Sequence, residues 1–558
     1  MEKIWLKSYP PGVPAEINPD AYQSITEMME KVCQQYHDRP AYYNMGATIN
    51  YKELDQYSRD FAAYLQQQEL KLEKGSRIAL MLPNALQYPI AMLGALRAGL
   101  IVVNVNPLYT PDELAHQIND AGAEVILVMT NFANVVERAL PRMPLLKHII
   151  TTNLGDMFSP FKAWTINLAL KYFYKKIPAW QLPKPISFKQ VLAKGRKLAF
   201  IPVPQTNQDV AFLQYTGGTT GRSKGAMLTH RNIIANIQQA NAWFKDFLQG
   251  RDEIIITALP LYHIFSLTAN CLFFSKIGGL NVLITNPRDI PTMIKEMKKF
   301  KFTAITAVNT LFNALMKDPR FTQLDFSRLH LALGGGMAVQ EAVATKWEAI
   351  THAPLLEAYG LTETSPCVTI NPANMKGFNG TIGLPVSSTD VCILDDNGQE
   401  VPIGKPGELA VKGPQVMKAY WHNPAETAKV FTQDGWLLTG DIATIDSQGF
   451  IRLLERKKDM ILVSGFNVYP NEIEDVLAKL PGVREVAVIG VADENSGEAP
   501  KAYIVKEGVA LTADDVIKYC REHLTPYKVP KQVEFVMDLP KTNVGKILRR
   551  ALRGYANN

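Results

Sequence analysis

The chain has 558 residues, 47% of them hydrophobic and 20% charged, the mix of an ordinary folded protein, which excludes a disordered, collagen-like or small disulfide-stapled chain. Its length implies several domains or one large multi-lobed body. Lys and Arg outnumber Asp and Glu by 59 to 53, a net +6 that permits anionic ligands or a membrane surface but is too weak for a nucleic-acid binder, so no nucleic-acid partner is expected.

The opening residues, MEKIWLKSYPPG, lack the continuous apolar core of a signal peptide. The cysteines, Cys33, Cys271, Cys367, Cys392 and Cys520, are scattered without zinc or redox spacing. A reducing, cytoplasmic location is therefore expected. Residues 85–105, ALQYPIAMLGALRAGLIVVNV, resemble a membrane span, but Arg97 would fall near its centre. They read instead as a buried helix ending near Gly99, followed by a strand.

Apolar runs of strand length occur at 77–82, 124–129, 210–215, 253–259, 281–285 and 303–308, with helical patterns between many of them, as at 232–247 and 291–300. Continuous apolar strands separated by helices predict mostly parallel sheets covered on both faces. Residues 156–185 differ: PFKAWTINLALKYFYKKIPAW mixes aromatics with Lys162, Lys171, Lys175 and Lys176. Two readings stand, a helix lying on an anionic bilayer and a helix packed on the protein with its lysines in solvent. From about Gly449 the pattern changes to short strands and helices that make a compact α+β unit of about one hundred residues. The charged stretch ERKKD, 455–459, suits an exposed hinge before it.

The most informative stretch is YTGGTTGRSKGAM, 215–227, which follows the strand VAFLQ and precedes a helix-like segment after Thr229. Glycines let a backbone approach an anion closely. Their N–H groups, the hydroxyls of Thr216, Thr219 and Thr220, and the Lys224 ammonium would together cradle a polyphosphate. It is not a Walker A loop, because Lys224 is followed by Gly225 rather than Ser or Thr.

This loop resembles the phosphate-binding signature of the adenylate-forming superfamily, which includes acyl-CoA synthetases, luciferases and peptide-synthetase adenylation domains; Ser223 stands where the family usually has proline. Other motifs follow in family order: LPLYHIF (259–265), GGGMAV (334–339), AYGLTET (358–364), the long stretch 434–474 beginning DGWLLTGD, and PKTNVGKILRR (540–550). Within the superfamily the chain is similar to bacterial long-chain fatty acid–CoA ligases, also at EINPD (16–20) and NVNPLYTP (104–111). The resemblance implies an α/β fold: a large multi-sheet N-terminal adenylation domain, residues 1–455, and a small mobile α+β C-terminal domain, residues 456–558.

The implied reaction activates a long-chain fatty acid with ATP to an acyl-adenylate, then transfers the acyl group to coenzyme A. A fatty carboxylate, with a pKa of roughly 4 to 5, is already ionised, so the first step needs charge neutralisation and alignment rather than a general base. By resemblance, Thr216, Gly217, Gly218, Thr219, Thr220, Gly221 and Lys224 hold phosphates. Glu363, with Thr216, holds Mg2+, a hard cation that prefers oxygen ligands. Gly334, Gly335, Gly336, Tyr359, Gly360 and Thr362 line the nucleotide. Asp441 accepts from the ribose hydroxyls and Arg456 reaches the ribose from the hinge side. Lys546 bridges the fatty carboxylate and the α-phosphate. His263, Phe265, Leu267, Gly336 and Gly360 wall the acyl site, and Leu267 stands where some relatives have a gating tryptophan. Gly465, with His263, lies on the path of coenzyme A, and Lys458 is the hinge pivot.

Two other destinations of the acyl group stay open, a carrier protein and oxidative luminescence, as does a shorter carboxylate substrate. A regulator that has lost catalysis does not explain the joint presence of Lys224, Glu363, Asp441, Arg456 and Lys546. A homodimer and peripheral contact with the inner face of the cell membrane are expected by analogy.

Overall fold

A computed structural model describes residues 2–168, 177–216, 223–248, 252–464, 466–493, 496–508, 510–542 and 545–556. Among these residues the strands form sheets of nine, seven, four and five strands.

The nine-stranded sheet has a parallel centre made of the apolar runs. Ile254–Thr257, Leu280–Leu283, Ala304–Ala307 and Leu331–Gly334 pair in parallel register, and nearly every residue in them is buried. Helices cross between them. Ile290–Met297, for example, starts at Asp289, whose carboxylate accepts the Thr292 N–H, with Pro291 in the first turn. From Ile254–Thr257 the chain goes to Leu280–Leu283 on one side, then to Ala304–Ala307 on the other. Such a reversal opens a crevice at the carboxyl ends of the strands. That crevice holds the site.

The seven-stranded sheet runs Ile186–Ser187, His148–Thr152, Val125–Met129, Arg77–Met81, Ile101–Asn104, Val210–Thr216, Lys224–Thr229. Its first six strands are parallel, as the hydrophobic pattern predicts. The last corrects the sequence reading. Residues 224–229 are not a loop running into the helix His230–Leu248 but a strand folded antiparallel onto Val210–Thr216, with Thr216 opposite Lys224. KGAMLT carries little strand signal of its own; its conformation is set by pairing with the strand before it.

Residues 85–105 form the helix Gln87–Arg97 and the strand Ile101–Asn104. No helix among the described residues is long and apolar enough to cross a membrane. Arg97 is fully buried, with its guanidinium 2.9 Å from Glu30 and 2.5 Å from Asp55. The helix Pro160–Leu168 lies on the surface with Phe161 77% and Trp164 62% exposed, while Lys162 bonds to the Met45 carbonyl. Residues 169–176, with Lys171, Lys175 and Lys176, lie outside the described residues.

The four-stranded antiparallel sheet ends with Leu437–Ile445 and Ile451–Arg456. Beyond ERKKD, the five-stranded sheet is built on the long hairpin Val483–Asp493 and Gly497–Lys506. The helices Pro470–Leu477 and Ala513–His523 bury Ile473, Leu477, Val516 and Cys520 against Val488 and Ile504. This unit has its own core and meets the larger body through Lys317–Glu507 and Lys479–Glu341 ion pairs, each 2.7 Å, and through the Thr310 hydroxyl, which donates to the Gly545 carbonyl at 3.2 Å.

Truncating Arg97 would empty a fully buried site and leave Glu30 and Asp55, both partly exposed, with Arg59 as their remaining partner. Arg97→Ala should therefore lower unfolding stability by roughly 2 kcal/mol, read from urea denaturation followed by circular dichroism. A change within experimental error would remove Arg97 from the framework under the seven-stranded sheet.

Candidate active site

A cavity of about 910 Å³ occupies the crevice and reaches the small C-terminal unit. It has two kinds of wall. The inner wall is apolar. Phe244 comes from the helix His230–Leu248, Phe273 and Phe274 from the wide π-helical segment Ser266–Phe274, and Leu331 and Leu333 from the central sheet. Such π-helical turns are rare and concentrate at functional sites. The outer wall is polar and rich in cations: Lys224, Arg456, Lys458, Lys546 and Arg549 against Glu363 and Asp459.

Chain reversals bring the polar groups together. Thr216 and Lys224 face each other across the hairpin and both line the cavity. Lys224 is paired with Glu426 and lies 5.0 Å from the Tyr420 ring centre. Hydrogen bonding to Lys224, then to Lys429, holds the Glu426 carboxyl down at about 2. Any polyphosphate taken by Lys224 must compete with this carboxylate. Tyr420 donates its hydroxyl to Glu363 Oε1 at 2.7 Å. Glu363 follows Leu355–Gly360, a strand whose last residue, Gly360, has no room for a side chain: a Cβ there would lie 1.8 Å from the Pro366 carbonyl oxygen. Glu363 and Thr216 offer only oxygen ligands, which fits a hard divalent cation. No cluster of three or more His, Cys, Asp or Glu able to hold a metal occurs among the described residues.

Tyr359 lines the cavity and donates its hydroxyl to Asp441 Oδ2 at 2.5 Å. Asp441 and Arg456 are cross-strand neighbours in antiparallel register, and Arg456 Nε lies 2.7 Å from Asp441 Oδ1. Both carboxylate oxygens are therefore engaged.

Lys546 enters the cavity from the small unit on a tight turn. The Lys546 carbonyl accepts from the Thr542 N–H at 2.7 Å, and the Lys546 N–H donates to the Thr542 hydroxyl at 3.0 Å. Lys546 lines the cavity, and among the described residues its ammonium makes no ion pair. Removal from bulk water, then the Arg456 charge, lowers its pKa to about 8, with Asp441 opposing. His263 also lines the cavity. Burial, then Lys546, pushes its pKa down to about 4, so the ring is neutral near pH 7. Its Nδ1 accepts the Phe265 N–H at 3.3 Å, which leaves the proton on Nε2. Lys458 lines the cavity mouth, and its pKa is lowered by burial.

The cavity thus gathers Thr216, Lys224, His263, Phe265, Gly335, Gly336, Tyr359, Gly360, Thr362, Glu363, Arg456, Lys458 and Lys546 from segments far apart in the chain. Three expected residues do not line it. Leu267 is fully buried and faces the core, while its neighbours Thr268 and Ala269 form the wall. Gly334 ends a strand where a Cβ would lie 2.5 Å from the Val339 side chain, so its smallness serves packing. Asp441 stands one layer back, behind Tyr359 and Arg456. Gly217, Gly218, Thr219, Thr220, Gly221 and Gly465 lie outside the described residues.

The sequence reading missed Phe244, Phe273, Phe274, Tyr420, Glu426 and Arg549. The three phenylalanines carry no signal that separates a cavity wall from a core. Glu426 had one: Asn423, Pro424 and Glu426 mark a helix start, and Asn423 accepts the Glu426 N–H.

Residues 29–421 match the AMP-binding enzyme family and residues 472–546 the AMP-binding enzyme C-terminal domain. A long-chain fatty acid–CoA ligase of Yersinia pestis is 57% identical, covering 99% of this chain and 98% of that protein. Another, of Escherichia coli O6:H1, is 55% identical over 100% of this chain and 99% of its own length. The crystal structure of ATP-bound MatB from Rhodopseudomonas palustris is similar with a TM-score of 0.82 at 28% identity, over 95% of this chain and 98% of that one.

The depressed pKa of Lys546 can be read directly. In NMR of the protein carrying 13C-methylated lysines, the Lys546 signal should titrate near pH 8. Arg456→Met should raise that midpoint, because it removes a neighbouring cation and releases Asp441. A Lys546 midpoint at the ordinary lysine value would mean that the side chain does not reside in the cavity.

Proposed function

This chain belongs to the AMP-binding enzyme family, and we infer from that membership and from the cavity that it activates long-chain fatty acids with ATP and transfers them to coenzyme A, releasing AMP and pyrophosphate. The observation that carries this reading is that one cavity joins an apolar inner wall to a cation-rich outer wall that Lys546 enters from the small unit. An acyl tail suits the first wall and a triphosphate the second.

In the first step the ionised carboxylate attacks the α-phosphorus and pyrophosphate leaves. Lys224 and Thr216 steady the outgoing phosphates, Tyr359 and Gly336 border the nucleoside, and Arg456 with Asp441 behind it meets the ribose. Lys546 lies between carboxylate and α-phosphate and offsets their repulsion as charge redistributes. His263, neutral and with its proton on Nε2, can donate a hydrogen bond to the acyl oxygen without adding a charge. Glu363 and Thr216 would hold Mg2+, which neutralises phosphate charge when bound; a single carboxylate plus substrate phosphates is a usual setting for this ion. In the second step the thiol of coenzyme A displaces AMP. Lys546 is then in the way, and a turn of the small unit about residues 455–458 would withdraw it.

The substrate partitions into bilayers, which supports a cytoplasmic enzyme with peripheral membrane contact. The exposed Phe161 and Trp164 on the helix Pro160–Leu168 favour that face, and the free cysteines suit a reducing compartment.

ATP–pyrophosphate exchange driven by fatty acids of increasing length, with and without coenzyme A, tests the reading. Exchange should rise with chain length and acyl-CoA should form only with the thiol; exchange driven equally by acetate would overturn the substrate. Lys546→Ala should abolish most exchange yet largely spare thioester formation from supplied acyl-adenylate. In the wild type kcat/KM for ATP should fall as pH rises through about 8, where the ammonium loses its proton. An unchanged exchange rate in Lys546→Ala would remove the lysine from the chemistry.

Membrane contact has a separate test. Replacing Phe161 and Trp164 with serine should weaken co-sedimentation with anionic phospholipid vesicles and leave activity on short soluble acids intact. Unaltered partitioning would assign the helix to the solvent-exposed surface alone.

A further inference from the structure

Arg549 follows Lys546 by three residues and lies at the start of the helix Arg549–Ala556. Its side chain is only 17% exposed and is bonded on every side. One terminal nitrogen donates to Glu455 Oε1 at 2.9 Å, and the other donates to the Glu474 carboxylate at 2.8 Å and to Asn471 Oδ1 at 2.7 Å. Asn471 and Glu474 belong to the helix Pro470–Leu477 and travel with the small unit. Glu455 does not. It sits in Ile451–Arg456, the last strand of the sheet before the ERKKD stretch.

The ion pair to Glu455 therefore spans the hinge, whereas those to Glu474 and Asn471 do not. Glu455 also accepts the Asn471 N–H at 3.0 Å, a second bond across the same boundary. Between this anchor and the Thr310–Gly545 bond, the Lys546 turn is closed on itself: the Leu548 N–H donates to the Pro540 carbonyl at 2.8 Å and Gly545 to Thr542 at 2.9 Å. The turn is thus held at its tip by Thr310 and at its base by Arg549.

We propose that Arg549 is a positioning residue for the first half-reaction: its guanidinium, forked between Glu455 on one side and Glu474 with Asn471 on the other, latches the small unit in the orientation that puts Lys546 in the cavity, and the latch opens for thioester formation. A turn of the small unit leaves Arg549 satisfied by Glu474 and Asn471 while Glu455 loses both partners from that unit. Burial, against the pull of Arg549, already raises the Glu455 carboxyl to about 7. Once released it can take up a proton near neutral pH, so opening strands no buried charge.

The proposal rests on the two-step ligase reading, and its test separates the two. Arg549→Gln and Glu455→Gln are compared with wild type in fatty-acid-dependent pyrophosphate exchange and in thioester formation from supplied oleoyl-adenylate, after melting curves verify folding. Exchange should fall by about 10²-fold, the scale of a misplaced reacting group, with thioester formation largely intact. Arg549→Lys should recover part of the loss, since it keeps the charge but not the fork, and the double variant should lose no more than either single one. Independently of activity, trypsin should cut wild type at Lys457 and Lys458 more slowly than Glu455→Gln. Equal losses in both half-reactions, additive losses, or equal cutting would overturn the latch. A wild type that fails to exchange with oleate would instead overturn the substrate reading, and the trypsin comparison would still decide the latch.

Discussion

Several positive charges confined in one cavity repel one another, and the rest of the site is built to manage that repulsion. Four of the cations that line the cavity are held against carboxylates: Lys224 against Glu426, Arg456 against Asp441, Arg549 against Glu455 and Glu474, Arg553 against Asp459. Lys546 is not among them. Among the described residues no carboxylate pairs with it, and it sits among Arg456, Lys458 and Arg549. Burial first, and then those neighbouring charges, lower its pKa. A lysine suits the position because its charge shifts readily with environment, whereas a guanidinium stays charged. Because Lys546 sits on a unit with its own core, the larger body folds without it.

The sheets explain why one cavity offers both an oily and an ionic wall. The carboxyl ends of the nine-stranded sheet supply Val308, Gly335, Gly336 and Tyr359, while the hairpin of the seven-stranded sheet supplies Thr216 and Lys224 from the other side. Helical segments between the two, His230–Leu248 and Ser266–Phe274, close the inner end with phenylalanines. His263 stands where the two environments meet. Its neutrality follows from that position, because the apolar side penalises a charged ring and Lys546 repels one.

Sequence made the architecture legible where the signal was local. Runs such as RIALML and EVILVM predict parallel strands, and Arg97 correctly argues against a membrane span. The phosphate loop announces itself because glycines, threonines and a lysine rarely gather in a bland turn. What escaped depends on distant partners. Lys224–Thr229 becomes a strand only because Val210–Thr216 precedes it. Leu267 and Phe273 share a segment and a hydrophobic character, yet one faces the core and the other the cavity, and only packing separates them. Glu426 and Tyr420 lie between recognisable motifs, and their meaning appears when the hairpin brings Lys224 beside them.

The end of the strand Ile451–Arg456 joins the cavity wall to the hinge. Successive residues of a strand point to opposite faces, so Arg456 turns to Asp441 while Glu455 turns to Arg549 and Asn471. Asp441 already accepts from Tyr359 and Arg456, but an ionised carboxylate has about four lone-pair sites. Asp441 therefore keeps capacity for further donors beside these two partners. One residue back along the strand from Arg456, Glu455 is where the small unit is fastened. A group that lines the cavity and a group that holds the Lys546 unit are thus adjacent in sequence and opposed in direction, so one short piece of backbone serves both.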